Sequence, residues 1–185
     1  NKLTLKDANC TKLKNTYDNI NSSLGNIVSN ATYDIPTKSY LCNYYIKAAY
    51  NSCCGGLYKN DYVSLCALKY AIKSGARFLD FEIYSINNNP VISASSVDNY
   101  SIKQMYNYLD FGDVMQFINE NAFAAMGTSK DQDPLILHFR ISSNNKKIYD
   151  KMADTIYSTI QSKLLGKEYS YEYTGHNLGA VPLKE

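Results

Sequence analysis

The sequence predicts an α/β fold on a mainly parallel sheet, preceded by a helical arm. Three observations carry this reading. From residue 41 onward, short strand-like apolar runs alternate with longer amphipathic stretches. Glycines stand where amphipathic stretches stop, at Gly75 and Gly166. The 185 residues suffice for one ordinary domain with a core, and they contain no internal repeat and no low-complexity tract.

Residues 1–30 read as the arm. Leu13, Tyr17, Ile20, Leu24 and Ile27 form one narrow apolar stripe among Lys, Asn and Asp. Two readings of the stripe stand open: packing on its own domain, or docking on another protein chain. "YDIPTK" is a linker broken by Pro36.

The elements follow in order. "LCNYYIKAAY", 41–50, reads as the first strand. "NDYVSLCALKYAIKSG", 60–75, reads as a helix capped by Asn60 or Asp61, with Val63, Leu65, Leu68 and Ile72 apolar. "ARFLDFEIYS", 76–85, is a second strand and "PVISAS", 90–95, a third. "FGDVMQFINENAFAAMG", 111–127, is a helix turning Val114, Phe117, Ile118 and Phe123 to a core. "DPLILHFRIS", 133–142, is the fourth strand, and residues 144–166 form a long amphipathic helix. Four strands are few, and half a barrel leaves two open edges. Either the sheet is open or the remainder lies outside this chain. The sequence starts at Asn1 rather than Met, so a fragment or processed form is expected.

Composition excludes some classes of function. Lys plus Arg number 19 and Asp plus Glu 17, and the lysines are scattered, so nothing favours nucleic acid. No apolar run reaches the ~20 residues of a membrane helix, and no signal-peptide pattern opens the chain. Trp is absent and Tyr numbers 18, spread along the whole chain, which fits an AT-rich coding bias. The five cysteines, Cys10, Cys42, Cys53, Cys54 and Cys66, fit neither a zinc site nor a regular disulfide frame. Free half-buried thiols are the expectation, with one pair among Cys42, Cys53, Cys54 and Cys66 open to oxidation. N-x-S/T triplets at Asn9, Asn21, Asn30 and Asn99 are expected by chance in so Asn-rich a chain.

The second and fourth strands hold the chemistry. Side chains alternate faces, so Phe78, Asp80, Glu82 and Tyr84 share one face and Leu79, Phe81 and Ile83 the other. Two carboxylates side by side on a buried strand require a cation or a proton. That cation is either a metal or a side chain, and spacing alone favours a structural ion pair. Ile136, His138 and Arg140 share a face of the fourth strand, expected to point inward. Arg140 is the natural bidentate partner for Asp80 or Glu82. A lone strand histidine such as His138 reads first as a satisfied core residue.

These stretches resemble a known family. "YYIKAAYNSCCGG", the "LKYAIKSGARFLDFEIYS" run with its L-x-x-G-x-R-x-L-D-x-E pattern, and "PLILHFRIS" are similar, in order and spacing, to the X half of phosphatidylinositol-specific phospholipase C. The resemblance runs from about residue 41 to the end and looks strongest toward the phospholipase-like proteins of large DNA viruses. It implies the first half of a TIM-type barrel, about four strands, over residues 39–185, after an arm and linker over 1–38. The site then lies at the C-terminal strand ends.

The resemblance also implies roles. The family's first catalytic histidine, the general base, falls on Tyr50. The neighbouring calcium-ligand Asn is kept as Asn51. The two carboxylates of the second strand fall on Asp80 and Glu82, with their types exchanged. The second histidine, the general acid, falls on Ala94 or Ser95, and an acidic ligand falls on Arg140. Tyrosine, with an ordinary pKa near ~10, is a poor base at neutral pH, and alanine is no acid. Each lost acid–base role is worth on the order of 10²–10⁴-fold in rate. The expectation is a catalytically degenerate domain in which Asp80, Glu82 and Arg140 fill the former metal site, with Asn51 and His138 beside them. In the viral setting that the resemblance implies, it is a structural or binding module of the virion, minor capsid or membrane-associated, or of the infected cell's cytoplasm. No cofactor is expected; calcium enters only if Asn51, Asp80 and Glu82 bind it. The alternative is an active phosphoinositide phosphodiesterase with displaced catalytic groups, its dependence on calcium left open. A further alternative is a binder of a membrane surface or phosphoinositide headgroup, helped by Arg140 and Lys47.

Overall fold

The computed structural model describes residues 2–18, 39–123, 133–170, 172 and 177–183. Helix α1 spans Lys2–Tyr17, and strand β1 is only Ala48–Ala49. Then come α2 (Leu65–Lys73), β2 (Phe78–Ile86), β3 (Asn89–Ser93), β4 (Leu109–Asp110), α3 (Phe111–Asn121), β5 (Ile136–Ile141) and α4 (Lys147–Ile160).

Strand β2 is the centre of a five-stranded sheet. Strand β5 pairs along it in parallel, from Phe78↔Ile136 to Ile83↔Ile141. The opposite edge of β2 takes β1 in parallel at Phe78 and Leu79, then β3 in antiparallel from Glu82 to Ile86. Strand β4 adds to β3, again antiparallel. The parallel path β1–β2–β5, with helices between, is a partial TIM-type barrel.

Several expectations are corrected by local chemistry. The sheet is mixed, because Asn87 and Asn88 both take positive φ (51° and 60°) and turn β2 straight back into β3. Two consecutive left-handed residues make the type I′ turn that suits a tight hairpin, and Asn tolerates that conformation. The first strand shrinks to two residues: Leu41–Asn43 is a 3₁₀ turn and Tyr45 stands fully exposed. Helix α2 starts three or four residues later than expected, capped by Ser64 rather than Asn60 or Asp61; the Ser64 Oγ accepts from the Ala67 N–H at 3.2 Å. Gly75 does end it, at φ 88°, a backbone state that strains any L side chain. The last helix stops at Ile160, before a 3₁₀ turn over Gln161–Lys163. The strand over Leu109–Asp110 was not anticipated; Asp110 also caps α3 by accepting from the Gly112 N–H at 2.7 Å. The end expected for that helix, 124–127, lies outside the described residues.

The core lies on one face of β2. Leu79, Phe81 and Ile83 are fully buried against Leu68 of α2, Val114, Met115 and Ile118 of α3, and Ile148 and Met152 of α4. Leu137, Phe139 and Ile141 extend this face on β5, with Phe139 edge-on to Phe111 at 5.4 Å. Phe117 and Phe123 are only partly buried against the cluster. The opposite, polar face of β2 and β5 is therefore left for the site.

Helix α1 packs on α2 of its own domain. Tyr17 stacks on Tyr70 at 6.4 Å, Lys73 pairs with Asp18 at 2.5 Å, and Cys10 is bonded to Cys66. The disulfide corrects the cysteine reading, which excluded Cys10 from any pair. The packing of α1 brings residues 56 apart in sequence to a Cα separation of 5.9 Å. Cys42, Cys53 and Cys54 are free. Ile20, Leu24, Ile27 and the Pro36 linker lie outside the described residues. The tail returns to the start of the domain, where Leu183 N–H donates to Ser39 O at 2.9 Å.

Candidate functional site

Parallel pairing sets Asp80 beside His138 and Glu82 beside Arg140, all on the polar face. Asp80 is the buried centre, 4 % exposed. Its carboxylate accepts from Arg140 Nε at 3.0 and 3.3 Å and from Arg140 Nη2 at 3.0 Å. It also accepts the Asn51 backbone N–H at 3.0 Å and faces His138 Nδ1 at 2.7 Å. Burial opposes its charge, but the bonds from Arg140, the Asn51 N–H and His138 prevail and hold the carboxyl below its ordinary range. In turn Asp80 raises the guanidinium's pKa further.

Arg140 ties the rest together. Nη2 donates to Asn51 Oδ1 at 2.6 Å, and Nη1 lies 3.6 Å from Glu82 Oε2. The guanidinium sits 4.5 Å over the Tyr50 ring, a cation–π contact. Asn51 adopts φ 45°, a left-handed conformation Asn tolerates, which turns its backbone N–H onto Asp80 at the end of β1. Glu82 has a second partner in Tyr84, whose hydroxyl donates to Oε1 at 2.5 Å. Burial and the neighbouring Glu82 push the Tyr84 phenol above its ordinary value. The i, i+2 spacing of Glu82 and Tyr84 was the available signal for that pair.

The face is more open than expected. The His138 side chain is 51 % exposed and that of Arg140 30 %, so His138 is no core residue. Nδ1 is the ring nitrogen engaged by Asp80. Asp80 as partner of His138 was missed, because register between strands is not written in either strand alone. Tyr50 is largely exposed and edge-on to Tyr58 at 6.1 Å. Ala94 is fully buried, and the Ser95 hydroxyl donates to Ser101 O at 3.0 Å within its loop. Lys47 does not join the cluster; its Nζ donates to Ser74 O at 2.8 Å. Cys54, beside the site, is pushed up to about 12 by burial and by Asp61 and Glu82, so it is no ready nucleophile.

A calcium ion does not fit this arrangement. Calcium takes six to eight oxygens. Here both Asp80 oxygens and Asn51 Oδ1 already accept guanidinium N–H bonds. Among the described residues no group of three His, Cys, Asp or Glu side chains is arranged to hold a metal. A permanent cation stands where a second one would have to bind.

The polar cluster thus lies at the C-terminal end of β1 and along β2 and β5 of a TIM-type half-barrel. The family model described as phosphatidylinositol-specific phospholipase C, X domain, matches residues 37–178, and the chain belongs to that family. Solved structures agree on the fold. PLC21 of L. pealei superposes with a TM-score of 0.57 at 21 % identity, over 70 % of this chain and 15 % of that one. PLC21 of S. officinalis superposes with a TM-score of 0.55, also at 21 % identity, over the same shares. The chain thus corresponds to a small part of those proteins. Neither match bears on the viral likeness drawn from the sequence. No curated protein matches the chain.

Proposed function

We propose that this chain is a catalytically degenerate X-domain half-barrel that serves as a structural or binding module. The single observation that supports the reading most is the position of Arg140. Its guanidinium bonds Asp80 and Asn51 and faces Glu82, three of the residues to which the family resemblance assigns metal binding. The positions given to the base and the acid point the same way. Tyr50 stacks under Arg140, and Ala94 is a buried methyl. The reaction needs a proton taken from one hydroxyl and given to a leaving oxygen, and neither side chain suits its half of that task. The test is release of soluble inositol phosphate from phosphatidylinositol vesicles, with calcium and with chelator. No release above the protein-free rate is expected in either. Sustained calcium-dependent release lost on Asp80→Asn would overturn the reading.

One observation favours a second reading, an active phosphodiesterase with displaced groups. His138 is oriented by Asp80 through Nδ1 and half exposed, an arrangement that suits a general base acting through Nε2. Calcium-independent turnover that falls at least 10²-fold in His138→Gln would establish it over the first.

A further inference from the structure

We propose that the Cys10–Cys66 disulfide is a redox latch that holds α1 over one flank of the site. Noncovalent packing holds this helix weakly. No residue from Thr4 to Asp18 is fully buried; Asn9, Cys10, Leu13 and Tyr17 are partly buried and the other side chains are exposed. Among the described residues, the contacts beside the disulfide include the Tyr17–Tyr70 stack, the Asp18–Lys73 pair, an Asp18–Tyr70 side-chain hydrogen bond and the Asn9 amide, which donates to Asp61 Oδ1 at 2.6 Å. The ion pair is partly exposed on both sides, and such pairs contribute little. Most helical stability in proteins comes from packing of an apolar face, and this helix has no fully buried face. Asp61 keeps the Tyr62 and Leu57 backbone N–H groups if Asn9 leaves, so the domain does not need the helix to satisfy that buried carboxylate.

What the helix covers gives the latch its consequence. Leu13 and Tyr17 wall a pocket of ≈ 250 Å³ whose other walls include Ala49 of β1 and Tyr70 of α2. Tyr50 and Asn51 line the same pocket. Asn51 is also the residue that bonds Asp80 and Arg140, so the helix lies on the rear flank of the polar cluster. Releasing α1 uncovers the pocket and the back of Asn51, while β2, β5 and the core face stay as they are.

The chemistry balances with a dithiol reductant, such as a thioredoxin-class protein or a small-molecule dithiol. Its two thiols supply two electrons and two protons. The Sγ–Sγ bond breaks, Cys10 and Cys66 become thiols, and the reductant becomes a disulfide. Neither cysteine is fully buried, which leaves a thiolate a path to the bond.

The experiment is amide hydrogen exchange on the full chain, oxidised and after treatment with a small-molecule dithiol, with Cys66→Ser as a reductant-free counterpart. Mass mapping first confirms the Cys10–Cys66 bond in the oxidised protein. On reduction, and in the variant, residues 5–17 are expected to exchange at least roughly tenfold faster, while β2, β5 and α4 keep their protection. Reoxidation restores the slow exchange in the wild type. Three results would each overturn the latch. One is free Cys10 and Cys66 in air-oxidised protein. Another is unchanged protection of α1 after reduction, because packing then suffices. The third is loss of protection in β2 and β5 together with α1, because the bond then supports the whole fold.

Discussion

Arg140 grips both carboxylate oxygens of Asp80, with Nε at 3.0 Å from one and Nη2 at 3.0 Å from the other. The pair joins neighbouring strands, β2 and β5, two register steps apart. A buried acceptor with one principal cation is a sensitive point in any fold.

Removing the cation is therefore expected to cost more than removing the imidazole. Arg140→Ala strands a buried carboxylate and should lower unfolding free energy by roughly 2–4 kcal/mol. His138→Ala removes one exposed partner and should cost roughly 0.5–1.5 kcal/mol. Urea unfolding of the two variants measures the order; the reverse order would mean that His138 is the main partner.

The Asp80–Arg140 pair also sets a pH dependence. Asp80 titrates below its ordinary 3.8 in the folded chain, so the unfolded state binds the proton more readily. The stabilisation is fully present above 3.8 and is lost as pH falls through the lower folded value. Replacing Arg140 by Met removes the main cause of the depression. Stability measured between pH 6 and about 2 should then fall less steeply with acid than in the wild type.

Calcium offers a direct probe of the filled site. Millimolar calcium should leave the melting temperature of the wild type unchanged. Arg140→Asp removes the competing cation and adds a third carboxylate beside Asp80 and Glu82. Calcium should then raise its melting temperature by roughly 2–5 °C. A calcium-induced rise in the wild type would contradict the exclusion argued from Arg140.

Gly75 supplies a test of the backbone. Its φ of 88° closes α2 just before β2. Gly75→Ala should cost about 1 kcal/mol or more, seen as a lower urea midpoint with an unchanged slope.

Much of the fold was legible because it rests on local periodicity. The period of two in "RFLDFEIYS" and "PLILHFRIS" already divides Leu79, Phe81 and Ile83 from Asp80 and Glu82, and it places His138 with Arg140. The meeting of Arg140 with the β2 carboxylates followed from the same alternation and from the cost of burying two like charges. Turn chemistry was legible in principle at Asn87 and Asn88, but a run of three asparagines in an Asn-rich chain did not stand out. The expectation of a mainly parallel sheet therefore carried no β2–β3 hairpin.

By itself the sequence determined which faces are apolar, that α2 ends at Gly75, and which charged groups share a side. Tertiary structure alone decided what those groups touch. The register of β5 on β2 puts His138, not only Arg140, on Asp80. The packing of α1 on α2 brings Cys10 to Cys66 across 56 residues. The open polar face leaves His138 half in water. Side-chain periodicity is a property of one segment, whereas register, helix packing and exposure arise only when separate segments meet.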